Sequence, residues 1–323
     1  MKIKIGILGY GNLARGVEQA IKKNNDTELV SVFTRRPPVQ INASVAAYSI
    51  NDLEKFKDKI DVMILCSGSA TDLPEQTPHV ASMFNLVDSY DNHSKIPVHF
   101  KNVDAAAKAA SKTALISCGW DPGLFSLNRL LFNCVLPDGE DFTFWGKGVS
   151  QGHSDALRRI EGVAQAVQYT VPIDSALQSA RSENPKNLTT REKHERICYV
   201  VIKEGYDKQS IETQIKTMPG YFADYNTTVN FISAEDFNKN HTTMPHGGFV
   251  IRNGKTSENS RQNLEFSLKL QSNPEFTASV LVAYARAVCR LSKENNFGAK
   301  TVFDIPYSYL TNKPYEELIA TLL

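Results

Sequence analysis

The sequence predicts an α/β protein. A doubly wound, mostly parallel sheet occupies the first 120 residues, and an α+β domain follows. Three observations predict it. A glycine-punctuated turn, Gly9-Tyr10-Gly11-Asn12-Leu13-Ala14, closes a short apolar run. Strand-like and helix-like segments then alternate as far as Ser117. Beyond Trp120 the pattern changes to glycine-rich, aromatic and polar–apolar alternating runs.

Taken in order, Ile3–Leu8 reads as a buried strand. Leu13–Lys23 reads as a helix with Leu13, Val17, Ala20 and Ile21 on one face. Leu29–Phe33 is a second strand stopped by Pro37-Pro38, and residues 39–50 leave room for a short third. Val62–Cys66 is a strand ending in Ser67-Gly68-Ser69. Glu75–Phe84 is a helix, Asn85–Asp88 a strand, Pro97–Ser111 a helix and Ala114–Ser117 a strand. Gly123–Leu136 is a helix opening the second domain. Arg196–Lys203 and Thr227–Ser233 are strands bracketing a helix, Asp207–Thr217, and are expected in an antiparallel sheet. Phe276–Ser292 is a long apolar helix and Tyr315–Leu322 a short amphipathic one. Ser182–Arg191 and Asn253–Arg261 are polar and expected to be flexible. The expected division is 1–120 as a dinucleotide-binding domain completed by 295–323, with 121–294 as a substrate-binding and dimerisation domain.

Bulk properties narrow the classes. At 323 residues, 41% hydrophobic and 22% charged, the chain has ample material for two cores. A net charge of +1 offers no electrostatic case for nucleic acid or an anionic membrane. The five cysteines (Cys66, Cys118, Cys134, Cys198, Cys289) form no C-x-x-C pair, which suits reduced thiols. No signal-like start and no apolar run of about 18 residues is present, so a cytoplasmic protein is expected.

The opening turn matches the G-x-G-x-x-A form of the dinucleotide fingerprint of Rossmann-type sheets. Gly9 permits the tight turn, Gly11 lets backbone approach a pyrophosphate, and Ala14 allows close helix packing. The helix start supplies N–H groups and partial positive charge. At the end of the second strand stand Thr34-Arg35-Arg36, where an NAD-binding fold usually places a carboxylate for the ribose 2′-hydroxyl. Guanidinium forks match a 2′-phosphate instead, so NADP is the expected cofactor. Cys66-Ser67-Gly68-Ser69, at the next strand end, reads either as a second cofactor contact or as a plain strand–helix turn.

Two strand-end carboxylates, Asp91 and Asp121, are candidates for the chemistry. A carboxylate near a nicotinamide neutralises an ammonium substrate and can accept its proton. Taken singly, each also reads as a turn residue. The segment Trp145–Asp155 is glycine-rich and could wrap a small polar ligand. His153, Ser154 and Asp155 are chain neighbours and cannot form a triad. Arg196 with Thr170 and His246 could bind a carboxylate, although Arg196 alone also reads as a strand-flank charge. His241 and His246 lack zinc spacing, and no metal is expected.

The strings GYGNLARGVE, VFTRRP, LCSGSATDLPEQTP, VDSYDNH, SCGWDPGLFSLNR, FWGKGVSQGHSDALRRI, AVQYT, TMPGYF, MPHGG and NPEFTAS resemble the meso-diaminopimelate dehydrogenase family across nearly the whole chain. The resemblance implies NADP-dependent oxidative deamination of the D-centre of meso-2,6-diaminopimelate, in lysine and cell-wall precursor synthesis. The products would be L-2-amino-6-oxopimelate, ammonia and NADPH. It also implies a homodimer. Gly9–Leu13, Thr34–Arg36 and Cys66–Ser69 would hold NADP, with Ser89, Tyr90 and Pro122. Asp91 and Asp121 would lie at the reacting centre. Trp145, Gln151, Gly152 and Asp155 would line the substrate cavity. Thr170, Arg196 and His246 would take the distal carboxylate, and Asn273 would add a contact. A dihydrodipicolinate reductase-like enzyme and an NADP-binding redox sensor are the alternative classes.

Overall fold

The computed structural model describes residues 2–323 and divides into two compact units, 1–127 with 274–323, and 128–273. The first unit begins with β1 (Ile3–Leu8), α1 (Asn12–Lys23), β2 (Thr27–Thr34), β3 (Ala47–Ser49) and β4 (Val62–Leu65). It continues with α2 (Leu73–Ala81), β5 (Leu86–Asp88), α3 (Ile96–Ala109), β6 (Thr113–Leu115) and the start of α4 (Leu124–Val135). Ile5, Ile7, Val62, Ile64, Val87 and Leu115 face one core, and Leu8, Phe33, Met63, Leu65, Leu86 and Ala114 face the other. Burial on both faces explains why these strands read as continuous apolar runs.

The second unit contains β7 (Gly139–Trp145), β8 (Gly148–Val149), α5 (Gln151–Arg158), β9 (Val163–Pro172), α6 (Asp174–Arg181) and α7 (Thr190–Lys193). Then come β10 (His194–Ile202), α8 (Lys208–Lys216), β11 (Asn226–Phe231), α9 (Ala234–Asn240), β12 (His246–Ser257) and β13 (Ser260–Leu270). They form a four-stranded sheet, β11-β10-β9-β8, and a three-stranded one, β13-β12-β7. The first packs Cys198 and Val200 against Leu157, Ile211 and Ile215, and the second packs Phe142, Phe144 and Ile251 against Ala176 and Leu177.

Two expectations about this unit fail. β10 and β11 pair in parallel, not antiparallel, because α8 between them returns the chain to its starting end as a crossover. Residues 253–261, expected to be flexible, lie mostly in the β12–β13 hairpin. Their polar side chains are satisfied within the fold. Asn253 is buried and donates through Nδ2 to the carbonyls of Ala180 (2.9 Å) and Ser182 (2.7 Å).

The chain returns to the first unit with α10 (Asn273–Lys293), β14 (Gly298–Lys300) and α11 (Tyr315–Leu322). β14 pairs in parallel with β6, giving a seven-stranded parallel sheet in the order β14-β6-β5-β4-β1-β2-β3. The unit boundaries therefore fall at 127/128 and 273/274, not at 120/121 and 294/295. The apolar helix α10 buries Leu281, Tyr284, Ala285 and Val288 in the same core as Val17 and Ile21 of α1. A Cβ on Gly16 of α1 would stand 2.9 Å from the Ala278 Cβ and 3.0 Å from the Pro274 carbonyl oxygen, so only glycine permits this approach. Buried Arg286 donates to both oxygens of Asp26 (2.6 and 2.7 Å) and to the Leu310 carbonyl (2.6 Å). That pairing holds the Asp26 carboxyl below its ordinary range.

Candidate functional site

The order of the first sheet sets where a ligand can go. From β1 the chain moves outward through β2 and β3, then crosses back to β4 on the other side. The crevice at the carboxyl ends of β1 and β4 is thus a topological switch point. A cavity of about 320 Å³ lies there, lined by residues of the β1, β2 and β4 ends and of α2. Gly9, Tyr10, Gly11, Thr34, Arg35, Arg36, Cys66, Ser67 and Gly68 all line it.

Each glycine has its own reason. Gly9 has φ +86, and a Cβ there would lie 2.9 Å from Ser67 Oγ and 3.1 Å from the Cys66 carbonyl carbon. Gly11 meets nothing within 4 Å of its missing Cβ, so the space is open toward a ligand. It precedes α1, which has neither a capping side chain nor an acidic residue in its first turn. Asn12 and Leu13 open that helix, and Leu13 leans on the core. An uncapped helix start beside open space is suited to an anion.

The β2 end is cationic and organised. Arg36 donates through Nη2 to the Tyr10 carbonyl, and its N–H donates to Thr34 Oγ1 (3.0 Å). Arg35 pairs through Nη2 with Asp72 Oδ2 (2.7 Å), which also accepts from the Gly68 N–H (3.1 Å). Asp72, which the sequence reading missed, ties the two halves of the pocket rim. Gln76 also lines the cavity, and its Oε1 is buried without a hydrogen-bond partner. The Tyr10 hydroxyl is held by Glu18 (2.6 Å), and burial with that neighbour raises its pKa to about 12.

Both candidate aspartates follow strands of this sheet. Asp91 lies beyond β5. Ser69 donates through Oγ to its Oδ1 (2.5 Å), and the Asp91 N–H donates back to Ser69 Oγ (2.9 Å). Asp121 follows β6 in a turn closed by N–H groups of Leu124 onto the Gly119 carbonyl (3.1 Å) and of Phe125 onto that of Trp120 (2.8 Å). Pro122 belongs to the same turn, and Ser89 is half-buried after β5. The Tyr90 ring is buried and stacks on His99 at 4.2 Å, so its side chain serves the interior.

In the second unit, Arg196 on β10 and Thr170 on β9 are cross-strand partners, and Gly148 on β8 follows in the same row. The Arg196 guanidinium is buried. It donates through Nη1 to Thr170 Oγ1 and lies 3.9 Å from the ring centre of Tyr225. Among the described residues its Nε has no hydrogen-bond partner, and burial lowers its pKa. His246 sits over Gly148, where a Cβ would come within 2.4 Å of the imidazole Cγ. Thr170, Arg196 and His246 are therefore gathered around one row of the sheet. Burial, and after it the Arg196 charge, push His153 and His194 down to about 4, so both rings are neutral near pH 7.

The remaining expected substrate residues divide. The Trp145 ring is partly exposed and stacks on His194 at 5.6 Å, and the Trp145 backbone N–H donates to His194 Nε2 (2.9 Å). Gln151 donates through Nε2 to Met244 Sδ (3.2 Å), and the Asn273 N–H donates to the Met244 carbonyl (2.9 Å). Gly152 meets nothing where a Cβ would stand. Asp155 is exposed and engaged in an ion pair with Arg158 one turn along α5. Tyr225 and His194, neither expected, complete the surroundings of Arg196. Among the described residues no group of three or more His, Cys, Asp or Glu could hold a metal ion, and no helix is long and apolar enough to cross a membrane.

A doubly wound parallel sheet, a glycine turn at its switch point and a cationic second strand end define a dinucleotide-binding α/β protein. Residues 119–272 match the diaminopimelic acid dehydrogenase C-terminal domain. The chain is 62% identical over 324 residues to the meso-diaminopimelate D-dehydrogenase of Lysinibacillus sphaericus, covering 99% of each. It superposes with a TM-score of 0.95 on a sextuple mutant of the Clostridium tetani E88 meso-DAP dehydrogenase solved with DAP, at 57% identity and full coverage of both chains. An engineered D-amino acid dehydrogenase bound to NADP⁺ superposes with a TM-score of 0.89, at 43% identity and full coverage of both. The chain belongs to the meso-diaminopimelate D-dehydrogenase family.

Proposed function

We propose that this chain catalyses the NADP-dependent oxidative deamination of meso-2,6-diaminopimelate at its D-centre. meso-2,6-Diaminopimelate, water and NADP⁺ give L-2-amino-6-oxopimelate, ammonium, NADPH and a proton, and the reaction runs in reverse as a reductive amination. The observation that carries the reading is the buried Arg196 guanidinium, whose Nε lacks a partner beside Thr170 and His246. A buried cation with unused donor capacity suits a carboxylate, which a diamino diacid brings at the end remote from the reaction. The full-length relatives favour this chemistry over a dihydrodipicolinate reductase or a redox sensor.

The first unit fits NADP. The open space at Gly11, the uncapped start of α1, the unpartnered Gln76 Oε1 and the Arg35 and Arg36 guanidiniums match pyrophosphate, ribose hydroxyl and 2′-phosphate in turn. Cys66–Ser69 would border the nicotinamide side, together with Ser89, the Tyr90 backbone and Pro122. When bound, NADP supplies the hydride acceptor. The protein's own residues bind and orient. In this reading Asp91 and Asp121 neutralise the reacting ammonium and hold the proton it must lose before hydride leaves.

Only a second anchor can tell the D- from the L-end of a substrate whose ends carry identical groups. Arg196, Thr170 and His246 would be that anchor, with Trp145, Gln151, Gly152, Asp155 and Asn273 around them. One correspondence supports this. The six residues substituted in the Clostridium tetani protein are a Gln, a Thr, an Arg, a Pro, a His and an Asn. This chain carries Gln151, Thr170, Arg196, Pro245, His246 and Asn273 in that order and at the same spacing. Asp155 would have to leave Arg158 to reach a ligand. Homodimer assembly and a cytoplasmic location belong to the same proposal. The test is direct: incubate with NADP⁺ and meso-diaminopimelate, and follow NADPH absorbance together with ammonia. Equal yields support the dehydrogenase, and NADP binding without turnover would reject it.

A further inference from the structure

The ladder between β5 and β6 is short. It runs through Leu86 opposite Ala114 and Val87 opposite Leu115, and then the two chains part. Asp91 lies on one diverging segment and Asp121 on the other. Beyond the last ladder pair a single fully buried side chain, Asp88, spans the gap. Its Oδ1 accepts the N–H of Tyr90 (3.1 Å) and the N–H of Ser117 (2.7 Å). Its Oδ2 accepts Thr77 Oγ1–H from α2 (2.9 Å) and faces His99 Nε2 from α3 at 2.7 Å. The Asp88 carbonyl takes the Cys118 N–H at 3.0 Å.

A carboxylate has about four acceptor directions, and here all four are used. The Nε2–H tautomer of His99 would donate to Asp88 Oδ2. The four partners come from four places: the segment leading to Asp91, the segment leading to Asp121, and the two helices packed against them. Ser117 is held at φ +53, a conformation that L-residues other than Asn and Asp rarely adopt, and its own Oγ is buried without a partner. Its backbone is thus turned to deliver an N–H to Asp88 at the expense of its side chain. The His99 ring also stacks on Tyr90, the residue before Asp91. If holding the sheet together were the only requirement, apolar packing would serve as well or better than a buried ionised group. What the carboxylate adds is a fixed separation of two backbones.

We propose that Asp88, oriented by His99 and Thr77, is the positioning residue that fixes the spacing of Asp91 and Asp121. The inference rests on the reading that those two aspartates act at the reacting centre. Asp88 itself stays in the interior and touches no substrate.

The experiment compares kcat for meso-diaminopimelate with NADP⁺ affinity, measured by fluorescence, across a set of variants. Asp88→Ala removes the acceptor shared by the Tyr90 and Ser117 N–H groups, leaving the Cys118 N–H on the residue 88 carbonyl as the tie between the two segments. In this variant kcat falls about 100-fold, the scale for misplacing a reacting group by an ångström. NADP⁺ affinity, carried mainly by the β1, β2 and β4 ends, falls no more than about tenfold through Ser89, the Tyr90 backbone and Pro122, which lie on the disturbed segments. Asp88→Asn restores kcat to within about fivefold of the parent, because its Oδ1 still accepts both N–H groups while the Thr77 hydroxyl and the His99 tautomer can turn to accept its NH₂. Should Asp88→Ala fail to fold, His99→Leu carries the test. It keeps both backbone bonds, lowers kcat about tenfold, and is rescued by the amide donor of His99→Gln. Unchanged kcat in the folded Ala or Leu variants, or NADP⁺ affinity lost in step with kcat, would overturn the proposal. Asp91→Asn and Asp121→Asn separate this from its parent reading. Full kcat in both overturns the parent reading. Loss there with parent-like kcat in Asp88→Ala overturns the positioning role alone.

Discussion

Arg196 and Thr170 face each other across the β9–β10 ladder, and the guanidinium donates to the threonine hydroxyl while its Nε stays unpartnered. This geometry predicts what their loss does. Arg196→Met should lower kcat/KM for meso-diaminopimelate on the order of 100-fold, since a buried charge-matched contact is gone. Simpler D-amino acids, which bring no distal carboxylate, should lose much less. Steady-state kinetics with both substrate types checks this, and an unchanged preference would refute the distal anchor.

Burial, with the same charge as a secondary cause, sets a pH dependence. His153 and His194 have folded-state pKa values near 4, below their ordinary value of about 6.5. The unfolded chain therefore binds more protons between those values, and stability rises with pH across the window. The contribution is complete above about pH 6.5 and is lost as pH falls toward 4, on the order of 1–3 kcal/mol per histidine. Urea unfolding at pH 7 and pH 5 measures the loss. Arg196→Met should move both histidines upward in an NMR titration, and unmoved resonances would contradict the arrangement.

At the β2 end, Arg35→Ala with Arg36→Ala should raise KM for NADP⁺ about 10- to 100-fold, by removing two guanidiniums that match a 2′-phosphate. KM for NAD⁺ should change by no more than a few-fold on the same logic. Equal effects on the two cofactors would remove the 2′-phosphate role.

Gly9 and Gly11 should separate folding from binding. Gly9→Ala must place a Cβ against Ser67 and Cys66 at φ +86, and is expected to cost about 1–3 kcal/mol of stability. Gly11→Ala meets no protein atom. Its melting temperature should stay near the parent's while, on the proposed reading of Gly11 as a pyrophosphate contact, NADP⁺ affinity drops at least about tenfold. Thermal melts and a binding titration, run in parallel, decide between these outcomes.

Much of the first unit was legible because its strands are buried on both faces. Runs such as Ile3–Leu8 and Val62–Leu65 have no polar alternation to confuse them. The second unit was harder. Leu264, Phe266, Leu268 and Leu270 do alternate along β13, a signal strong enough to have found that strand, but the polar Asn253–Arg261 obscured its partner. What makes Asn253 a core residue is its pair of carbonyl acceptors more than seventy positions away, invisible to local pattern. The helix α10 was placed in the wrong unit for a related reason. Its apolar length is plain in sequence, but its fit depends on Gly16 and Asp26, which lie far upstream. Around the candidate site, motif strings singled out Arg196 and Thr170, which the structure pairs across the β9–β10 ladder. Asp88, Asp72 and Tyr225 went unnoticed because their roles are defined only by what touches them.

The split of the first unit, with α10 and β14 encoded after Asn128–Asn273, has a consequence for how the chain emerges from the ribosome. The second unit is continuous and can fold as soon as its last strand is out. The first cannot: until Gly298–Lys300 appears, β6 has an open edge, and until α10 appears, the core that Val17 and Ile21 of α1 share with β1 and β4 lacks Leu281, Tyr284, Ala285 and Val288. At ordinary elongation rates that interval is on the order of 10 seconds. The N-terminal half must remain unaggregated for that long, which makes it the stretch where a nascent-chain chaperone would be expected to bind.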